Sequence, residues 1–155
     1  SIKDLYQRDK QNYFCIESYE LGVNNLYRFI KKNNIENIHV YQGNAIEIIE
    51  ENFNDNVMDE ILIFFPDPWP KTKHRKRRIL NTFSIELFFS KLKNNGTFHF
   101  ATDHIEYAYS MKDLISNYTN KKVFFSNNRR CRPITNYELR GIKRKNFIFD
   151  IILKK

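Results

Sequence analysis

An α/β architecture, with a doubly wound and mostly parallel sheet, is what this sequence predicts, on three observations. Short apolar runs rich in β-branched and aromatic residues alternate with longer segments of helical spacing. Strand–helix alternation of this kind gives parallel strands joined by crossover helices. The runs also end on polar residues: Glu17, Asn44 (after a turn at Gly43), Asp67 and Asp103. In a doubly wound sheet the carboxyl ends of the strands line one crevice, so residues far apart in sequence are expected to converge there. The competing explanation, that each simply caps the helix after it, stays open on sequence alone. At 155 residues the chain is read as a single domain, 1–155, large enough for a real core.

Taken in order, Ile2 to Gln7 has the spacing of a short amphipathic helix. Tyr13-Phe14-Cys15-Ile16 reads as a buried strand, and Leu21 to Ile30 as a helix stopped by Asn33-Asn34. Ile38 to Tyr41 is the next strand, Gln42-Gly43-Asn44 a turn, and Ala45 to Glu51 a helix. Ile61 to Phe65 is too short for a helix and apolar enough for a strand buried on both faces. Arg78 to Leu92 carries a wide apolar helical face, and Asn94-Asn95-Gly96 ends it. Thr97 to Ala101 is a strand finishing at Thr102-Asp103, and Tyr107, Met111, Leu114 and Ile115 mark a further helix. Lys122 to Phe125 and Phe147 to Leu153 are read as the last strands, separated by a polar loop from Ser126 to Lys145.

The most informative stretch follows the Ile61–Phe65 strand. In Pro66-Asp67-Pro68-Trp69-Pro70, three prolines fix φ and remove amide donors, so neither helix nor ladder continues. An acid and the only tryptophan are thereby held on a stiff loop at a strand end. Lys71, Lys73, His74, Arg75, Lys76, Arg77 and Arg78 come straight after, and Arg129, Arg130, Arg132, Arg140, Lys143, Arg144 and Lys145 form a second basic group. Overall, 26 Lys and Arg stand against 18 Asp and Glu, a formal charge of +8, which favours a polyanionic partner. Phosphate contacts are one reading of the first cluster and a solvated helix start is the other; Trp69 could stack on a base or anchor a core.

Cys15 and Cys131 are isolated and no histidine pair has metal-ligand spacing, so reduced thiols and no metal site are expected. No apolar run approaches the ~18 residues of a membrane span, and a soluble cytoplasmic protein, monomeric and without a membrane partner, is expected.

Phe64-Phe65-Pro66-Asp67-Pro68-Trp69-Pro70-Lys71, followed by His74, Lys76, Arg77 and Arg78, resembles the hallmark of the tRNA (guanine-N7-)-methyltransferases. Two further blocks resemble that family: Ala101-Thr102-Asp103 with Tyr107, Ala108 and Met111, and Arg132 to Gly141. The likeness runs in order along the whole chain. It implies a Rossmann-like class I methyltransferase fold, tRNA as the partner, and transfer of methyl from S-adenosylmethionine to N7 of a guanosine in the tRNA variable loop.

By the same resemblance, Glu17 would hold the cofactor's ribose hydroxyls, and Asn44 falls where the family usually has an aspartate near the adenine. Asp67 would be the catalytic acid beside the cofactor, and Lys71, Asp103, Thr135, Asn136, Tyr137 and Glu138 would contact tRNA. The family opens with a strand and a glycine-rich loop around the cofactor's methionine portion, and this chain begins after that segment. The absent strand lies at the middle of the sheet in that fold, so an N-terminally truncated, marginally stable domain that binds cofactor poorly is expected. The alternative is a catalytically inactive remnant that keeps at most RNA binding.

Overall fold

The computed structural model describes residues 11–130 and 132–155. The helix expected at Ile2–Gln7 and the thiol of Cys131 lie outside the described residues. The chain divides into two compact units, Ser1–Phe53 and Asn54–Lys155.

The first unit is a βαβ element followed by a helix. Strand β1 (Tyr13–Glu17) pairs in parallel with β2 (Ile38–Gln42), from Tyr13 opposite Ile38 to Glu17 opposite Gln42. Parallel neighbours need a crossover, supplied here by helix α1 (Glu20–Lys32). Asn34 takes the left-handed conformation just past its end (φ 50°), so the expected Asn33-Asn34 stop is observed. Helix α2 (Ala45–Asn52) follows β2. Val23, Ile35, Ile38 and Ile49 are the buried apolar side chains. Cys15 sits half-buried in β1, and burial pushes its thiol up to about 11, so it is a packing residue with little thiolate.

The second unit is a three-stranded sheet in the order β3-β4-β5. Strands β3 (Met58–Phe64) and β4 (Leu92–Thr102) are parallel, while β5 (Phe149–Lys154) runs antiparallel to β4. Helix α3 (Thr82–Lys91) makes the crossover from β3 to β4, α4 (Ile105–Thr119) follows β4, and α5 (Asn136–Lys143) precedes β5. Phe88, Phe98, Phe100, Ile85, Ile115 and Ile151 are fully buried and form the centre of the core.

Several boundaries differ from the sequence expectation. The helix expected from Arg78 begins at Thr82, because Asn81 and Ser84 form a reciprocal capping box, each side chain accepting the other's backbone N–H. Before it, Thr72–Arg77 is a 3-10 turn. Replacing Asn81 with alanine is expected to cost about 1 kcal/mol, read as a lower urea midpoint with an unchanged slope. Strand β4 starts at Leu92 rather than Thr97, since Leu92 already pairs with Met58 before the ladder shifts register and resumes at Glu60 and Thr97. Lys122–Phe125 is not a strand: the Val123 N–H goes to Ser116 Oγ (3.3 Å), and only Ser126 bridges to Asp150. Strand β5 begins at Phe149, two residues later than expected, leaving Phe147 81% exposed. The polar loop 126–145 holds helix α5, capped by Thr135, whose Oγ1 accepts the Glu138 N–H (3.1 Å).

Candidate active site

Residues expected to be functional occur in each compact unit. In the first, Glu17 ends β1 with its Oε1 accepting the Tyr19 N–H (2.9 Å). Gly22 on α1 lies so close that a Cβ there would come within 2.9 Å of Glu17 Cγ. The half-buried carboxylate is therefore seated, and among the described residues its second oxygen has no hydrogen-bond donor. Asn44 is different. Its Oδ1 accepts the Ile46 N–H (3.0 Å) and its Nδ2 donates to Glu47 Oε1 (2.9 Å), so both polar ends serve helix α2. Capping explains Asn44; it does not explain Glu17.

In the second unit the proline loop leaves β3 through Phe65, whose N–H donates to the Ala101 carbonyl (2.8 Å) at the carboxyl end of β4. Phe65 and Trp69 both have left-handed φ, 52° and 41°. For bulky residues this is strained and persists only where surroundings enforce it. Asp67, between them, is exposed and makes no hydrogen bond among the described residues. Its carboxylate is open to solvent. Trp69 is half-buried against its own turn, with His74 edge-on at 5.8 Å and the Arg77 guanidinium 5.1 Å from the ring centre. It is no core anchor.

The cationic run does not act as one patch. Arg78 is 6% exposed: its Nε donates to the Pro68 carbonyl (2.8 Å), its Nη2 to Glu106 (3.1 Å), and its guanidinium lies 4.6 Å from the Tyr107 ring centre. The phosphate-gripping role open to Arg78 on sequence is thus excluded by its burial. Arg75 also pairs with Glu106 (2.9 Å). The hydrogen bond from Arg78 holds the Glu106 carboxyl below its ordinary value. Lys71, Lys73 and Lys76 are exposed and form no ion pair among the described residues.

The structure brings Asp103 and helix α5 together. Asp103 Oδ2 accepts from Asn146 Nδ2 (3.0 Å), and a Cβ on Gly141 would stand 2.8 Å from that same oxygen. Asn136 and Tyr137 are exposed on α5, with Arg140 over the Tyr137 ring at 5.8 Å. Glu138, expected to face tRNA, points inward instead: it is 3% exposed and accepts from Arg132 (2.7 Å) and Arg129 (3.1 Å). Thr135 is committed as the cap of α5. Sequence reasoning missed the other half of this cluster. Arg132 also donates twice to Asp150 (2.8 and 3.0 Å), and His99 Nε2 lies 2.7 Å from the same carboxylate. One acid in the apolar run Phe147–Leu153 and one histidine in Thr97–Ala101 were the available signal. Burial disfavours the Asp150 anion, but the His99 and Arg132 hydrogen bonds outweigh it and hold that carboxyl below its ordinary value.

Among the described residues, no three or more His, Cys, Asp and Glu side chains converge as a metal site would need, and no helix is long and apolar enough to cross a membrane.

Residues 6–151 match the family model described as "putative methyltransferase". A tRNA (guanine-N(7)-)-methyltransferase of Francisella philomiragia is 39% identical over 157 residues, covering 99% of this chain and 69% of that protein. The Neisseria gonorrhoeae protein of the same name is 35% identical, covering 93% and 62%. The chain thus spans roughly two thirds of these relatives' length. Among solved structures, an antibiotic-related methyltransferase superposes with a TM-score of 0.68 at 18% identity, covering 99% of this chain and 81% of that one. A SAM-dependent methyltransferase from Aquifex aeolicus does so with 0.59 at 12%, covering 95% and 70%. Parallel strand pairs with helical crossovers, polar residues at their carboxyl ends and these neighbours define a Rossmann-like class I methyltransferase fold. Within that class the chain belongs to the tRNA (guanine-N7-)-methyltransferase family.

Proposed function

We propose that this chain carries the methyl-transfer and tRNA-contacting surfaces of an enzyme that methylates N7 of a guanosine in tRNA. The observation that carries the reading is Asp67, an exposed carboxylate on a strained proline loop followed by Lys71, Lys73 and Lys76, none of the four with an ion pair or hydrogen bond among the described residues. Guanine N7 is an unprotonated acceptor on the base's major-groove edge, so it needs no base to remove a proton before it attacks. S-adenosylmethionine, the family's methyl donor, supplies an electrophilic methyl on a sulfonium when bound. Glu17, seated at the end of β1, accepts from its ribose hydroxyls in this reading, whereas Asn44 is occupied by its own helix. What remains for the protein is alignment and charge. Holding the reactants in line can supply about 7–11 kcal/mol in favourable cases. Asp67 can accept from the guanine edge and offset the positive charge that passes to the base.

Lys71, Lys73 and Lys76 bind phosphates without reading sequence, a salt-sensitive contribution. Tyr137 offers an exposed ring for an unstacked base, the mode by which single-stranded RNA loops are commonly held. Asp103, seated by Gly141 and Asn146, and exposed Asn136 supply polar contacts, while Thr135 and Glu138 serve indirectly by building α5. The alternative of an inactive RNA-binding remnant draws no support from the relatives' names.

The test is transfer of radiolabelled methyl from S-adenosylmethionine to tRNA lacking N7-methylguanosine, with the product mapped by cleavage at N7-methylated sites. Label at a single variable-loop guanosine is expected. Label on another atom or another RNA would overturn the assignment.

A further inference from the structure

We infer that Arg78 is a positioning residue that fixes the Asp67 carboxylate, and that it makes no contact with RNA. The inference rests on the methyl-transfer reading for its effect on rate, but its geometry is independent of that reading. Asp67 stands between two residues with left-handed φ, Phe65 and Trp69, and no proline supplies an amide to tie the loop down. Relaxation of either residue would swing the carboxylate. The entry to the loop is pinned by the Phe65 N–H on the Ala101 carbonyl (2.8 Å). Its other side is pinned at the residue immediately after Asp67, where Arg78 Nε donates to the Pro68 carbonyl (2.8 Å).

Arg78 can hold that carbonyl because it is itself immobilised on two further sides. Glu106, in the first turn of α4, takes its Nη2 (3.1 Å), and the Tyr107 ring lies under its guanidinium (4.6 Å). Three different contacts thus use three parts of one planar group, and only 6% of the residue remains exposed. A lysine cannot reproduce this, because a single ammonium cannot reach the carbonyl and the carboxylate while covering the ring. Sequence placed Arg78 at the end of a run of phosphate-seeking cations, yet its charge is answered by Glu106 and its donors point inward.

Arg78→Lys in the full chain tests this, with Glu106→Gln as a milder variant should the first fold poorly. Trp69 is the only tryptophan and lies in the loop, so acrylamide quenching of its emission reads loop order without any reaction. Quenching is expected to rise about twofold or more, with kcat falling about 100-fold, as for a misplacement of about 1 Å. The KM for tRNA and the salt slope of binding stay as in the parent. A slope reduced by about one, with quenching and kcat unchanged, marks a phosphate contact and overturns the inference. Should the parent chain transfer no methyl, the proposed reaction fails while Trp69 quenching still decides for or against the role of Arg78.

Discussion

Asp67→Ala is expected to reduce methyl transfer by about 10²–10³-fold, the usual consequence of deleting one preorganised electrostatic group at a reacting centre. The same substitution should leave folding alone. Asp67 is exposed and makes no hydrogen bond among the described residues, so nothing in the native state is broken. A surface change of that kind normally shifts stability by less than about 0.5 kcal/mol. Affinity for tRNA should hold or rise slightly, since an acid is removed beside Lys71, Lys73 and Lys76. Asp67→Asn separates charge from hydrogen bonding: it keeps an acceptor for the guanine edge and should fall between parent and alanine. Thermal midpoint, tRNA binding and single-turnover transfer, measured on the same preparations, check the claim. Turnover within about threefold of the parent, or a parallel loss of stability and binding, would sink the assignment of Asp67 to the chemistry.

The features legible in the sequence were those where local chemistry and tertiary structure agree. Tyr13–Ile16, Ile38–Tyr41 and Ile61–Phe65 are short runs rich in β-branched and aromatic residues, and each lies in a strand within a few residues of its expected bounds. The proline loop and its exposed acid were legible because proline acts on its own backbone. Helix α5 was not, since Ile134, Tyr137, Leu139 and Ile142 are all about half exposed or more. Its stability comes from a threonine cap and a buried ion cluster, neither of which leaves an apolar stripe to read. Lys122–Phe125 failed for the opposite reason: its apolar residues have strand composition, but the amide of buried Val123 is taken by Ser116. Side-chain roles were the hardest. Arg78, Glu138 and Asn44 all match the motif or position expected of contact residues, yet Arg78 and Glu138 are buried in ion pairs and exposed Asn44 spends both polar ends on helix α2.

The cluster around Arg132 carries the largest stability effect. Arg132 is 5% exposed and joins Asp150 on β5 to Glu138 on α5, while His99 on β4 closes on Asp150. Its guanidinium also lies 5.4 Å from the ring centre of Phe65, where the proline loop begins. Arg132→Met keeps most of the volume but leaves Asp150 with His99 alone and Glu138 with the half-exposed Arg129. Breaking a buried pair from one side typically costs about 3–5 kcal/mol, because the partner charge stays buried without compensation. Native-state hydrogen exchange should show α5 opening first, and tRNA affinity should fall with it although Arg132 touches no RNA.

The acid dependence has a definite sign. Asp150 is held below its ordinary carboxylate value, 3.8, in the folded protein, so its pairing stabilises fully above that value and is lost as pH falls through the lower folded one. Parent and variant should therefore differ most near neutral pH and converge in acid. A urea-midpoint difference that stays constant from neutral to strongly acid conditions would show that packing against Phe65, and not the paired charges, is what Arg132 contributes.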